Sequence, residues 1–235
     1  MNYVLIFAGG IGSRMGASLP KQFLKIDNKE IIAHVIEKFN SCNSVDEIVI
    51  VTLKDYINEV RLLVDKYRYR KVRDVIEGGA TAFESQRNGV LFLNSVSNSE
   101  SDIVIIHDGV RPFVDSNLIK KCFEEVKLNG NAIVVSPASE TIAILDSSDK
   151  IYETISRQKC LLARAPQAFY LKDLYNAHLK AKKENKQYID SASMFLDQKI
   201  ILNPVEGPVE NIKITTQYDY LLAKLLIEGK NEKNR

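Results

Sequence analysis

The chain of 235 residues lacks several features that would assign it a partner directly. Neither sign of charge is in excess: 32 lysines and arginines stand against 30 aspartates and glutamates, a formal net charge of +2. Binding to nucleic acid or to a membrane surface calls for a strong basic excess, so neither is expected. The basic stretches 180–186 and 230–235 read as solvated faces. No long hydrophobic run occurs. The apolar stretch Tyr3 to Phe7 is far too short for a signal peptide or a membrane span and reads as a first strand. Cysteine is sparse. Cys42, Cys122 and Cys160 are odd in number, far apart and in no metal-ligand spacing. They are expected to be reduced thiols of a cytoplasmic protein. No histidine sits in a suggestive motif near any of them, which argues against a cysteine nucleophile. Internal repeats, low-complexity segments and a domain-separating linker are absent as well, so residues 1–235 are expected to form one domain.

What is present is a rhythm of short β-branched runs and longer amphipathic segments. Strands are expected at 2–8, 47–52, 72–76, 103–107, 132–136 and 199–202. Helices are expected at 31–40, 56–67, 83–93, 116–128, 171–183 and 217–226, with Ser116 as an N-cap. This alternation predicts the fold class: α/β, a Rossmann-like, open, mostly parallel sheet with helices on both faces. The rhythm breaks at 137–159. There 141–145 and 150–155 flank Asp146-Ser147-Ser148-Asp149, the pattern of a β-hairpin that leaves the core as an arm, of the kind that reaches another subunit.

In open α/β sheets ligands bind at the carboxyl ends of the strands. The first strand runs into Ala8-Gly9-Gly10-Ile11-Gly12-Ser13-Arg14-Met15-Gly16, followed by Pro20-Lys21-Gln22-Phe23. Glycines let backbone N–H groups approach phosphates, and Arg14 and Lys21 add positive charge. The loop is not a Walker A sequence, since no Gly-Lys-Ser/Thr follows. It is not a full dinucleotide fingerprint either, because Pro20 would interrupt the helix that fingerprint opens. After the 72–76 strand comes Glu77-Gly78-Gly79-Ala80-Thr81, which is either a simple turn or a place for a base or sugar to lie on the backbone. After the 103–107 strand comes His107-Asp108-Gly109-Val110-Arg111. Asp108 would hold a hydroxyl or a metal and Arg111 a phosphate, or the two would pair with each other. His107 reads as a packing residue. Lys213, between Ile212 and Ile214, needs an anionic partner: a substrate phosphate, Glu210 or another carboxylate.

Taken together, AGGIGSRMG, LPKQFL, EGG, HDGVRPF, ETI, ETISR, APQAF and ENIKITT resemble, in order and spacing, the polyol-phosphate cytidylyltransferases over roughly Tyr3 to Leu226. Two branches share these segments, acting on ribitol 5-phosphate and on 2-C-methyl-D-erythritol 4-phosphate. The resemblance implies an enzyme: CTP plus a polyol phosphate gives a CDP-polyol and pyrophosphate, with Mg²⁺, by in-line attack on the α-phosphate. Carried over by motif, Arg14, Lys21, Arg157 and Lys213 would be catalytic. Phe7, Ala8, Gly9 and Gly10 would line the CTP site, and Gly79, Ala80 and Ser85 would frame the cytosine. Asp108 would hold ribose or polyol hydroxyls. Arg111, Thr141, Arg157 and Lys213 would hold the polyol phosphate. The metal's protein ligands are not identified, since magnesium would be held mainly by the CTP phosphates. Thr141 and Arg157 would serve the neighbouring subunit's site, which implies a homodimer through the arm.

The chain departs from the family's pattern at three places. Ala82 stands where an Arg is usual, with Arg87 nearby as a substitute cation. Arg164-Ala165-Pro166-Gln167 replaces Gln-Thr-Pro-Gln, and Glu140 replaces Asp. The Ala-Gly-Gly opening and the ETIAILD arm lean toward the ribitol branch. The gap between Met15 and Pro20 and the phrase ETISR lean toward the methylerythritol branch. A nucleotidyltransferase acting on sugar 1-phosphates and a non-catalytic nucleotide-binding subunit are the rival readings.

Overall fold

The computed structural model describes residues 1–10 and 19–233. Seven strands form the main sheet: β1 (Asn2–Ala8), β4 (Glu47–Thr52), β5 (Val72–Glu77), β6 (Ile103–Asp108), β7 (Asn131–Pro137), β10 (Leu161–Tyr170) and β11 (Pro204–Glu206). Their order across the sheet is β11-β7-β10-β6-β1-β4-β5. β1 lies inside the sheet, between β6 and β4 and parallel to both. β5 runs parallel to β4, and β11 parallel to β7. β10 alone is antiparallel to its neighbours β6 and β7. Two further strand pairs lie outside this sheet: β2 (Lys25–Ile26) with β3 (Lys29–Glu30), and β8 (Ile142–Leu145) with β9 (Ile151–Ile155).

The apolar runs become central strands because both of their faces are covered. Val4 and Ile6 point into one core with Ile48, Ile50, Ile103 and Ile105. Helices α1 (Ile31–Asn40), α2 (Ile57–Tyr67) and α4 (Ser116–Asn129) close that side. Tyr3 and Leu5 point the other way, with Val49, Val51, Val104 and Ile106. That side is closed by α3 (Ala82–Val96), α5 (Leu171–Lys183) and α6 (Ser191–Asp197). The period of two along each strand thus divides one apolar sequence between two cores. Gly89 lets α3 lie close on β1, since a Cβ there would come within 2.6 Å of the Leu5 side chain. The chain ends in α7 (Gln217–Lys233).

Several expectations need correction. The cap of α4 is Asp115, whose carboxylate accepts from the Leu118 amide at 2.8 Å; Ser116 is the first helical residue. Residues 199–202 are not a strand. Lys199 takes a left-handed conformation (φ 63°) and the Ile200 amide returns to the Phe195 carbonyl, so this segment ends α6. The strand follows instead at Pro204–Glu206, paired with β7. β10 was not expected at all, because Arg164, Pro166 and Gln167 interrupt its apolar pattern and Pro is disfavoured inside a sheet. The ladder to β7 accommodates Pro166 by shifting register between Ala163 and Gln167. α6 was likewise not expected. The predicted hairpin does form, as β8 and β9, and it stands apart from the main sheet.

Candidate active site

A cleft of about 660 Å³ opens over the carboxyl ends of β1, β5 and β6. That size is typical of a small-molecule site. Phe7, Ala8, Gly9 and Gly10 lead into it from β1. The short 3₁₀ helix Lys21–Phe23 returns to the same strand end, because the buried Gln22 donates from Nε2 to the Ala8 carbonyl at 2.6 Å. Thr52 at the end of β4 donates to the same oxygen at 3.2 Å. These bonds place Lys21 in the cleft wall, with its Cε next to Gly10. Arg14 lies outside the described residues.

The second wall is the loop before α3. Thr81 and Glu84 form a capping box: Thr81 Oγ1 accepts from the Glu84 amide at 3.1 Å, and Glu84 Oε2 accepts from the Thr81 amide at 3.3 Å. Glu84 Oε2 also accepts from the Ala80 amide at 2.9 Å, and Ser85 Oγ from the Gly79 amide at 3.0 Å. The Gly78 amide donates to the Thr52 carbonyl at 2.8 Å. The loop is therefore held rigidly: its amides are committed, the Thr81 carbonyl accepts from the Ser85 amide and hydroxyl, and the Gly79 carbonyl accepts from Ser85 Oγ at 3.4 Å. Arg87 is not part of the cleft lining. Its charge acts instead on His178.

The third wall is where charge concentrates. Asp108 ends β6, and both of its oxygens are engaged: Oδ2 by Arg111 Nε at 2.7 Å and Oδ1 by Lys213 Nζ at 2.8 Å. Burial alone would raise the Asp108 pKa. The charges and hydrogen bonds of Lys213 and Arg111 outweigh it and hold the carboxyl at about 2. The two sequence readings of Asp108 and Arg111 thus merge, since their ion pair is itself part of the cleft. The partner of Lys213 is Asp108 rather than Glu210. Gly109 allows β6 to end against β1: its amide donates to the Phe7 carbonyl at 2.7 Å, and a Cβ there would stand 2.8 Å from that oxygen. His107 is fully buried, its Nε2 sits 3.0 Å from the Arg111 carbonyl oxygen, and its edge meets Phe39. Burial lowers its pKa to about 4. It is neutral near pH 7 and packs, as expected.

Three residues that organise the cleft were not identified from sequence. Asn211 is fully buried; its Nδ2 donates to the Ala165 carbonyl at 2.7 Å, and its own carbonyl accepts from both Arg111 and Arg164. Gln22 anchors Lys21. Arg164 lines the cleft and was noted only as a departure from a pattern. Four cationic side chains (Lys21, Arg111, Arg164, Lys213) and two carboxylates (Asp108, Asp190) line the cleft among the described residues. Such a lining favours anions and offers no activated nucleophile.

Thr141 and Arg157 are not in this cleft. Both are exposed, and the Arg157 guanidinium donates to the Ser139 carbonyl at 3.1 Å beside the arm. All three cysteines are free thiols, and no helix among the described residues is long and apolar enough to cross a membrane.

A glycine-bearing strand end, a capped second loop and a cation-rich third wall over one α/β sheet define a protein of the nucleotide-handling α/β class. The family described as "IspD: 2-C-methyl-D-erythritol 4-phosphate cytidylyltransferase" matches residues 2–229, and the chain belongs to that family. A ribitol-5-phosphate cytidylyltransferase of Vibrio parahaemolyticus serotype O3:K6 is 39% identical over 230 residues, covering 97% of this chain and 96% of that one. A 2-C-methyl-D-erythritol 4-phosphate cytidylyltransferase of Clostridium botulinum (strain Loch Maree) is 36% identical over 227 residues, covering 97% of each. The solved structure of 4-diphosphocytidyl-2C-methyl-D-erythritol synthase from Anaerococcus prevotii DSM 20548 superposes with a TM-score of 0.83 at 25% identity, covering 97% of this chain and 96% of that one. The chain is accordingly a nucleotidyltransferase of the cytidylyl-transferring kind.

Proposed function

We propose that the enzyme joins CTP to ribitol 5-phosphate or a related polyol phosphate, releasing a CDP-polyol and pyrophosphate. An oxygen of the polyol phosphate attacks the α-phosphorus of CTP, and the bond from that phosphorus to the bridging oxygen of the β-phosphate breaks. The observation that carries this reading is the cleft lining, in which cations outnumber carboxylates and no nucleophile is prepared. Two anionic reactants repel each other, so transfer between them needs positioning and charge stabilisation rather than covalent help.

In this reading the triphosphate lies along Phe7 to Gly10, with Lys21 and Arg14 at the charge that grows on the α-phosphate and the leaving group. The cytosine rests on Gly79, Ala80 and Ser85. With the loop amides committed to Ser85, Glu84 and Thr52, and the Gly79 and Thr81 carbonyls engaged by Ser85, the Gly78 and Ala80 carbonyls remain for recognition among the described residues. Cytosine presents an amino donor at the ring position where a uracil carries a carbonyl, and this favours CTP over UTP. Asp108 accepts hydroxyls, while Arg111 and Lys213 take the polyol phosphate.

Thr141 and Arg157 would complete the site across a homodimer, with residues 1–235 forming one catalytic domain and 137–159 its inserted arm. The arm supports this, since an isolated two-stranded hairpin is at best marginally stable. It exposes Leu145 (53%), Ile151 (65%) and Tyr152 (62%). Free thiols, and the lack of a membrane-crossing helix among the described residues, support a cytoplasmic location.

Magnesium fits as a passenger on the nucleotide. Among the described residues no three His, Cys, Asp or Glu side chains form a cage, and both oxygens of Asp108 are engaged by cations. Mg²⁺ commonly rides on substrate phosphates. When bound it would neutralise part of the triphosphate charge.

The ribitol reading is favoured by the arm sequence and by the identity to the Vibrio enzyme. Methylerythritol phosphate is the second reading, supported by the matched family and the Clostridium enzyme. Parallel product assays with the two acceptors test the choice. CDP-ribitol as the main product is expected; turnover confined to methylerythritol phosphate would transfer the assignment to the second reading.

A further inference from the structure

Arg164 is the cleft cation whose charge the described residues leave unanswered. Asp108 is already shared between Arg111 and Lys213, and no carboxylate among the described residues forms an ion pair with Arg164. Its Nε donates to Ser136 Oγ at 2.6 Å, and its Nη1 donates to the Asn211 carbonyl at 3.2 Å. Arg111 Nη1 donates to that same oxygen at 3.0 Å. Two guanidinium groups therefore converge on one neutral carbonyl, and neither Nη2 has a hydrogen-bond partner among the described residues. A buried and a half-buried guanidinium gathered in this way call for an anion. Burial and the Arg111 charge also press the Arg164 pKa down, as expected where the balancing anion is missing. A pair of planar forks suits the oxygens of a phosphate monoester.

The sheet decides which phosphate. β10 is antiparallel to β6 with Gln167 opposite Ile106, so Ala165 comes level with Asp108 and residues 163–164 pass beyond the carboxyl end of β6. β6, β1 and β4 separate β10 from β5, whose end leads into the base-framing loop. Four strand spacings amount to about 19 Å. A nucleotide running from that loop to the glycines of β1 occupies the β5 side of the cleft, and the Arg111–Arg164 pair lies on the opposite side. We propose that Arg164, together with Arg111, seats the phosphate of the acceptor substrate. This rests on the polyol-phosphate reading of the same cleft.

The test is a comparison of wild type, Arg164→Gln and Arg164→Lys, with CTP and ribitol 5-phosphate varied in turn. In Arg164→Gln the acceptor KM is expected to rise about tenfold or more, as for loss of a charge-assisted hydrogen bond, while the CTP KM stays within about twofold. Arg164→Lys keeps the charge without the fork, recovers part of the loss, and guards against a variant that misfolds. A second titration needs no turnover. Inorganic phosphate is expected to raise the melting temperature of the wild type, and the concentration needed is expected to rise about tenfold in Arg164→Gln. An unchanged acceptor KM, a CTP KM that rises as much, or equal protection by phosphate would each overturn the assignment. If the wild type used no polyol phosphate, the functional reading would fall, and the phosphate titration would still decide the role of Arg164.

Discussion

Asp108 and Lys213 are 105 residues apart in sequence, and their side chains meet at 2.8 Å. The contact joins the end of a central strand to the segment before the last helix. It is held there by the Ile214 amide, which donates to the Val110 carbonyl at 3.0 Å. One carboxylate thus orients two of the cations that the proposed reaction uses.

The folded-state pKa of Asp108, about 2, lies below the ordinary carboxylate value. Its contribution to stability is therefore complete above about pH 4 and is lost as pH falls through about 2. In Lys213→Ala the main opposing charge is gone, so the folded-state pKa moves back toward the ordinary value: the variant is less stable than the wild type at pH 5 and loses less further stability between pH 4 and pH 2. Chemical unfolding between pH 2 and pH 5 checks this. Identical profiles for the variant and the wild type would contradict it.

Lys21→Ala should lower kcat by about 10²–10³, the usual effect of losing one transition-state charge donor, while circular dichroism stays native. Gln22 anchors the neighbouring backbone, and the half-buried Lys21 side chain lies beside Gly10 in the cleft wall rather than in the core, so the fold does not depend on it. Near-normal turnover would remove Lys21 from the mechanism.

The arm has a genetic test. Under the proposed arm exchange, Arg157→Ala and Lys21→Ala, inactive when separate, should recover activity when mixed, because one site of a mixed dimer would keep both residues. Mixtures no more active than the sum of the separate variants would mean that Arg157 does not act across subunits.

Two histidines predict a pH dependence of stability. Burial holds both His107 and His178 at about 4, below the unfolded value near 6.5. The unfolded state takes up more protons in between, so stability falls as pH drops from about 6.5 toward 4, by roughly 1–2 kcal/mol per histidine near pH 5. His178 packs on Phe83 with neither ring nitrogen hydrogen-bonded. His178→Leu should therefore keep the melting temperature at pH 8 and lose less of it at pH 5. An unchanged slope against pH would remove His178 from this account.

The sequence was legible where one residue type has one structural consequence. Runs such as Glu47-Ile48-Val49-Ile50-Val51-Thr52 bury both faces and read directly as central strands. The loops that follow them mark the cleft: Asp108 and Arg111 are legible from their position after a strand, and Lys213 from its place between Ile212 and Ile214. Roles set by distant partners were not legible. Gln22 acts through a carbonyl 14 residues away, Asn211 through one 46 residues away, and Arg164 through one 47 residues away. No local pattern encodes such contacts. β10 was hidden because Pro166 sits inside it, and tertiary pairing to two neighbours outweighed that local signal.

The central claim is that this cleft transfers a cytidylyl group to a phosphate acceptor. Pyrophosphate release, measured with CTP, UTP, GTP and ATP in turn against polyol phosphates and a hexose 1-phosphate, tests it most directly. Release is expected with CTP and a polyol phosphate and with no other pairing at a comparable rate. Activity confined to UTP or GTP with the hexose phosphate, or tight CTP binding without turnover on any acceptor, would contradict it.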